Sequence, residues 1–378
     1  MVATRTSPRR SAAAAWRNVD LMMLAATAGI LALSLLMIYS STRQRQIQAG
    51  LDPAFFLKRQ ALFVGLVLIG LVLVTLVDYD TIRNAVPAIY GGALVMLLLV
   101  LTPLGTARRG TQAWFQFGPY QFEPSEVAKL ALIVTLAAYC AAHRGEFDTA
   151  RLMTALGMAA GPLLLIYLQP DVGTGMVFVA ILMGALLVGG ASARQIAVLT
   201  LLGLTAIAAV LQLGVLEDYQ RDRLSAFLDP KEDVQRSSYN LNQSKIAVAA
   251  GGLGGRGLFQ GTQTNLSFVP EQHTDFIFTA VAEELGFAGA VTLLALFAVV
   301  VWRTWRTATE ARDDFGRLVC VGVLSMLVFQ VFENVGMTMG ITPIAGIPLP
   351  LMSYGGSATV ASLLAVGLVL NVHMRRFG

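Results

Sequence analysis

Val269-Pro270-Glu271-Gln272-His273-Thr274-Asp275-Phe276-Ile277-Phe278 marks the point where a polar 61-residue stretch, 215–275, gives way to a long apolar run. A carboxylate at such a boundary, beside a His and downstream of a Gly-rich segment, sits where hydrocarbon meets water. Working outward from it, the chain is dominated by apolar runs. It is 56% hydrophobic and 13% charged, with mean hydropathy +0.66, which excludes an ordinary soluble domain.

A helix needs about 20 apolar residues to cross the hydrocarbon core. Ten segments qualify: 21–42, 60–77, 85–103, 125–142, 152–168, 172–190, 195–214, 276–302, 316–340 and 357–374. Gln169-Pro170-Asp171 divides what would otherwise be one overlong helix across 152–190, because Pro lacks the N–H a helix interior requires. The expected fold is therefore an all-α polytopic membrane protein of about ten transmembrane helices. A basic tail (1–20) precedes the transmembrane domain (21–374), a large extracytoplasmic loop (215–275) joins helices 7 and 8, and a short tail (375–378) follows. The first apolar run is long enough to span and has no small-residue cleavage site after it, so it reads as a span and not as a signal peptide.

Lys and Arg set the orientation. With the N-terminus inside, the inner segments hold 14 basic residues and the short outer loops 6, so both termini are expected in the cytoplasm. The segments with unusual chemistry (103–124, 169–171, 215–275, 341–356) then all face outward. That one-sided polarity suits an interfacial enzyme better than a conduit, which would carry polar groups at mid-membrane and internal repeats. Cys140 and Cys320 lie in apolar runs and read as core hydrophobes, and three scattered His form no metal cluster.

Four of the outer segments carry motifs. The first is Ala107-Arg108-Arg109-Gly110-Thr111-Gln112-Ala113-Trp114 with Phe122-Glu123-Pro124-Ser125-Glu126-Val127-Ala128-Lys129. The second is Gln169-Pro170-Asp171-Val172-Gly173-Thr174. The third runs from Arg223-Leu224-Ser225 through Gln243-Ser244-Lys245 and Gly261-Thr262-Gln263 to Pro270–Phe276. The fourth is Gly346-Ile347-Pro348-Leu349-Pro350-Leu351-Met352-Ser353-Tyr354-Gly355-Gly356-Ser357. Together, in this order and with ten spans, they resemble the SEDS family (shape, elongation, division and sporulation proteins) over nearly the whole chain from residue 20. Pro270–Asp275 and Asn334-Val335-Gly336-Met337-Thr338-Met339-Gly340 look more like the elongation member, RodA, than the division member, FtsW. Departures from the common pattern are Arg256, where Lys is frequent, Gly175, where Ala is usual, and Ala113 before Trp114.

The resemblance implies a peptidoglycan glycosyltransferase of the cytoplasmic (inner) membrane that polymerises lipid II into a nascent glycan strand at the outer leaflet. It also implies a divalent cation (Mg or Mn) and no organic cofactor. The implied partners are a class B penicillin-binding protein and elongation-complex proteins, in membrane lipid and without nucleic acid. A lipid II flippase is the competing reading from a different class. It calls for polar residues on both faces and through several spans, which this chain lacks outside Glu126, Lys129, Glu283, Glu284 and Glu333-Asn334.

Asp275 has two readings from the residues alone. A carboxylate can take the proton that makes a sugar hydroxyl nucleophilic, and a low-dielectric edge raises its pKa toward the working range. Asp is equally a favoured helix N-cap. The resemblance places the family's essential Asp here and so favours catalysis, or a role as metal ligand. Glu126 and Lys129 share a helix face at i, i+3, either as an ion pair that lets two charges enter the membrane or in contact with substrate. Arg108 and Arg109, with Trp114 in a reentrant-looking segment, offer donors to a pyrophosphate or form an exposed loop with an aromatic anchor. Arg223 and Lys245 are similar cation candidates. Asp171 reads as a cap of the sixth span or a substrate contact, His273 as a local hydrogen-bonding partner, and Ser353 and Gly355 as part of a flexible loop that permits close ligand approach. Ser357 reads as a cap. One of Glu283 and Glu284 is expected to face the site.

Overall fold

The computed structural model describes residues 18–108, 111–145, 147–213 and 236–376. Its elements in chain order are α1 (Leu21–Gln48), α2 (Phe55–Leu76), α3 (Tyr79–Val100), β1 (Gly105–Arg108), β2 (Thr111–Phe117), β3 (Tyr120–Phe122), α4 (Pro124–Ala142), α5 (Thr149–Leu168), α6 (Val172–Gly189), α7 (Ala193–Leu213), α8 (Arg236–Gly251), α9 (Thr262–Asn265), α10 (Ile277–Thr309), α11 (Asp314–Met339) and α12 (Gly356–Met374). Nine of these helices are long and apolar enough to cross a membrane, and α7 is a further apolar helix, in the ten places the hydropathy indicates.

The bundle centres on α4, α11 and α12. Residues such as Leu132, Leu136, Cys320, Val323, Leu363 and Val369 are essentially inaccessible there. Peripheral α2 and α3 present Leu66, Ile69, Val95 and Leu98 outward, as lipid-facing helices should. Cys140 and Cys320 are free and buried, as their apolar settings suggest. Several helix starts follow their sequence signals. Pro124 occupies the first turn of α4, where a missing N–H costs nothing, and Asp148, Asp171 and Asp313 each accept a backbone N–H at the start of α5, α6 and α11.

The structure departs from the sequence expectation in three places. The segment expected to be reentrant around Trp114 is a three-stranded antiparallel meander, β1-β2-β3, turned at Gly118-Pro119. The aromatic-rich run Gln112-Ala113-Trp114-Phe115-Gln116-Phe117, followed by a two-residue turn, suits a strand in a hairpin. The long segment between α7 and α10 contains α8 and α9, and α8 docks on α10 and α11 through Leu241, Ser244 and Ala247. Finally, α10 is 33 residues long and breaks at Gly286 (φ 67°, ψ −163°). At ~1.5 Å per residue an unbroken helix would far exceed a ~30 Å core. The break leaves 277–285 at the polar end and 287–309 to span.

Candidate functional site

The described parts of all four motif segments meet at one end of the bundle, and the Pro-rich loop 341–355 is their hub. Pro343, Pro348 and Pro350 prevent helix here, so the backbone must find partners elsewhere. Ser34 Oγ donates to Met352 O (2.7 Å), and Gly355 N donates to Gln60 Oε1 (3.3 Å). The start of α6 presses on the loop so closely that a Cβ on Gly173 would lie 2.5 Å from Ala345 O. At the start of α12, Ser357 does not cap its own helix: its Oγ accepts the backbone N–H of Glu123 (2.9 Å), joining α12 to the entry of α4.

Asp275 lies at the centre of this arrangement, partly exposed. Three successive carbonyls that lead up to it and include its own are each held by a different donor. Tyr354 N donates to His273 O (2.9 Å), Ser353 Oγ to Thr274 O (2.5 Å), and Asn334 Nδ2 to Asp275 O (2.8 Å). The Asp275 N–H donates to Glu271 O (3.2 Å). The N-cap position of α10 falls on Phe276, not Asp275, and no side chain caps it. The His273 ring packs edge-on against Phe56 (5.0 Å) and beside Tyr354 (5.5 Å).

The neighbouring carboxylates have defined duties. Glu126 and Lys129 are 3% and 1% exposed and form the expected ion pair at 2.8 Å. Asp171 accepts the N–H of Thr174 (3.0 Å), as its cap reading requires. Glu123, which sequence reading passed over, is a third carboxylate on this entry: Ser125 Oγ donates to it (2.6 Å), and burial, with Glu126 and Asp171 close by, pushes its carboxyl up to about 8. Its signal was present in the spacing Glu123-x-x-Glu126.

Glu283 and Glu284 both bind loop backbone. Glu283 accepts from Gln263 N (2.7 Å), Thr264 N (3.0 Å) and Thr264 Oγ1 (2.7 Å), which caps α9 from a distance. Glu284 accepts from Ser40 Oγ (2.6 Å) and Phe259 N (3.1 Å). Gln272 then ties this support to the Asp275 segment by donating to Thr264 Oγ1 and Thr279 Oγ1, both 3.0 Å away.

The Lys245 side chain lies against Gly340 at the end of α11, where a cation meets the negative helix terminus. Arg108 closes β1, and Trp114 in β2 accepts a bond from Thr106 at its carbonyl (3.0 Å). Arg109 and Arg223 lie outside the described residues. Among the described residues no three His, Cys, Asp or Glu side chains group to hold a metal. Such a donor set fits an ion held by one or two carboxylates, with substrate phosphates and water completing its shell, an ordinary arrangement for Mg²⁺.

These features define a multi-span membrane protein with a carboxylate site built from loops at one end of the bundle. The chain belongs to the FtsW/RodA/SpoVE family, described as cell cycle proteins, whose model matches residues 20–377. It is 38% identical to stage V sporulation protein E of Bacillus subtilis (strain 168), over 93% of this chain and 96% of that one. It is 34% identical to the peptidoglycan glycosyltransferase MrdB of Escherichia coli (strain K12), over 95% and 94%. Among solved structures, a chain of a peptidoglycan synthase complex that coordinates polymerization and crosslinking superposes with TM-score 0.81, at 31% identity, covering 95% of this chain and 98% of that one.

Proposed function

We propose that this chain is a peptidoglycan glycosyltransferase that polymerises lipid II into β-1,4 glycan strands at the outer face of the cytoplasmic membrane, in cell elongation. The observation that carries the reading is Asp275, a partly exposed carboxylate fixed by its backbone where the four family motifs converge. Asp275 is the general base. It takes the proton of the acceptor's 4-hydroxyl as that oxygen attacks the anomeric carbon of the growing strand. The bond to the lipid pyrophosphate breaks with its electron pair leaving on the phosphate oxygen, and a single displacement inverts the centre to the β linkage. A divalent cation at Asp275, when bound, supplies positive charge to the departing pyrophosphate. Glu126 and Lys129 neutralise each other beside the site and support it, and Asp171 orders the start of α6.

The polymer-forming end is extracytoplasmic and both termini are cytoplasmic, supported by the basic residues at the opposite end, Arg303, Arg375 and Arg376 among them. The working partner is a class B penicillin-binding protein within an elongation complex. Purified protein with its transpeptidase partner, lipid II and Mg²⁺ should make glycan polymer, and Asp275→Asn should make none while keeping its thermal midpoint. Equal polymer from both would remove Asp275 from the mechanism. Elongation is tested by complementation: the chain should restore rod shape to cells depleted of their elongation synthase, whereas rescue confined to division-blocked filaments would assign it to septation.

A further inference from the structure

We infer that Asn334 is a positioning residue for Asp275, an inference that rests on the catalytic reading of Asp275 given above. Asn334 is fully buried in α11, in a span that is otherwise mostly apolar. Its Nδ2 donates to two carbonyls from distant parts of the chain, Asp275 O and Ile347 O, both at 2.8 Å. A side-chain amide has two N–H donors on one nitrogen, and here each has a main-chain acceptor. Among the described residues its Oδ1 has no hydrogen-bond partner, and the two donated bonds orient the amide. Turning the amide over would set an oxygen against two carbonyl oxygens.

The bond to Asp275 lies just where α10 begins. Were Asp275 the N-cap, its carbonyl would accept the N–H four residues on, from Thr279. Instead Thr279 N donates to Phe276 O (2.9 Å), while the Asp275 carbonyl goes to Asn334. Asp275 thus lies outside the helix, with its backbone tied to the Pro-rich loop through the same amide. Ser353 repeats the device one residue earlier: its Oγ donates to Thr274 O and accepts from Leu349 N (2.8 Å). Two bifunctional side chains thus staple the Asp275 segment to the loop. Asn334 touches the backbone of the reactive residue and acts through it.

Misplacing a reacting group by about 1 Å can cost roughly 100-fold in rate. The test is steady-state polymerisation by the full chain with its transpeptidase partner, for native protein, Asn334→Ala, Asn334→Asp and Asp275→Asn, with thermal midpoints measured alongside. Asn334→Asp keeps the volume but puts acceptors where the donors stood. The expected result is a kcat lowered roughly 10- to 100-fold in both Asn334 variants, with KM for the lipid-linked disaccharide within about 2-fold of native. Native kcat in a folded Asn334 variant, with Asp275→Asn inactive, overturns the inference and leaves the role of Asp275 intact. A raised KM with kcat retained also overturns it, because Asn334 would then hold substrate. If both Asn334 variants fail to fold, the residue serves folding alone and the inference falls. If Asp275→Asn is as active as native protein, the catalytic reading itself fails and takes this inference with it.

Discussion

Lys129 and Glu126 illustrate how a residue's duty follows from its partner. Two ions at 1% and 3% exposure survive beside hydrocarbon only because they neutralise each other at 2.8 Å. Lys129→Met alone should cost about 3–5 kcal/mol by stranding the glutamate. Lys129→Met with Glu126→Gln should recover much of that, as read from thermal midpoints in detergent. Glu123 gives a pH signature. Its folded carboxyl is raised to about 8, so the folded state favours the protonated form. The stability it contributes is complete below the ordinary carboxylate range and is lost as pH rises toward 8. Melting the native protein and Glu123→Gln from pH 5 to pH 9 should show this decline in the native chain and a flatter profile in the variant. The i, i+3 spacing made the Glu126–Lys129 pair legible. The Glu123 environment was not, because it depends on Asp171 from α6 and on Ser357 from α12.

At the scale of elements, the break in α10 governs how the extramembrane segment docks. Gly286 takes φ 67°, and a Cβ there would lie 2.2 Å from the Gly255 N. Gly255 is itself positive in φ (82°) and would meet Glu284 O at 2.2 Å. Backbone thus touches backbone, with Arg256 N donating to Glu283 O (2.9 Å) and Phe287 N to Gly252 O (2.9 Å). Gly286→Ala should cost at least about 1–3 kcal/mol from backbone conformation alone. Because the clash adds to this, hydrogen exchange should speed up across α8 and 252–265 while α4 and α12 stay protected. Hydropathy located the start of α10 and both ends of α11 and α12 to within two residues, but ended α10 seven residues early. It did not locate the break, because Gly inside an apolar run reads as an ordinary spanning residue until another strand of backbone approaches it. The meander at β1–β3 escaped for a related reason: aromatic and amide residues at an interface suit a strand or an anchor equally well, and only pairing decides.

For the whole molecule, the opposite ends of the bundle carry different chemistry. One gathers the hub loop, Asp275 and α8. The other is stitched by Asp20 to Arg303 (2.6 Å), Arg375 to the carbonyls of Thr75 and Leu76, and Arg376 to Glu310 (3.0 Å). The orientation proposed for these ends predicts that an impermeant thiol reagent labels Leu253→Cys in intact cells. Ser192→Cys, in the turn between α6 and α7, should label only after permeabilisation. Leu253 is 81% exposed and the native cysteines are buried, so they should stay silent.

The sequence by itself determined that the chain is an all-α membrane protein, where its apolar helices fall, and which carboxylate closes the long polar segment. Hydrophobic length, basic-residue bias and cap chemistry act locally along the chain, and can be read there. Only the tertiary structure decided that Ser357 serves Glu123, that Glu283 and Glu284 hold the loop, and that Asn334 and Ser353 fix Asp275. Each of these joins segments far apart in the chain. Buried polar groups must find partners wherever packing brings them, and no local pattern records which partner that will be.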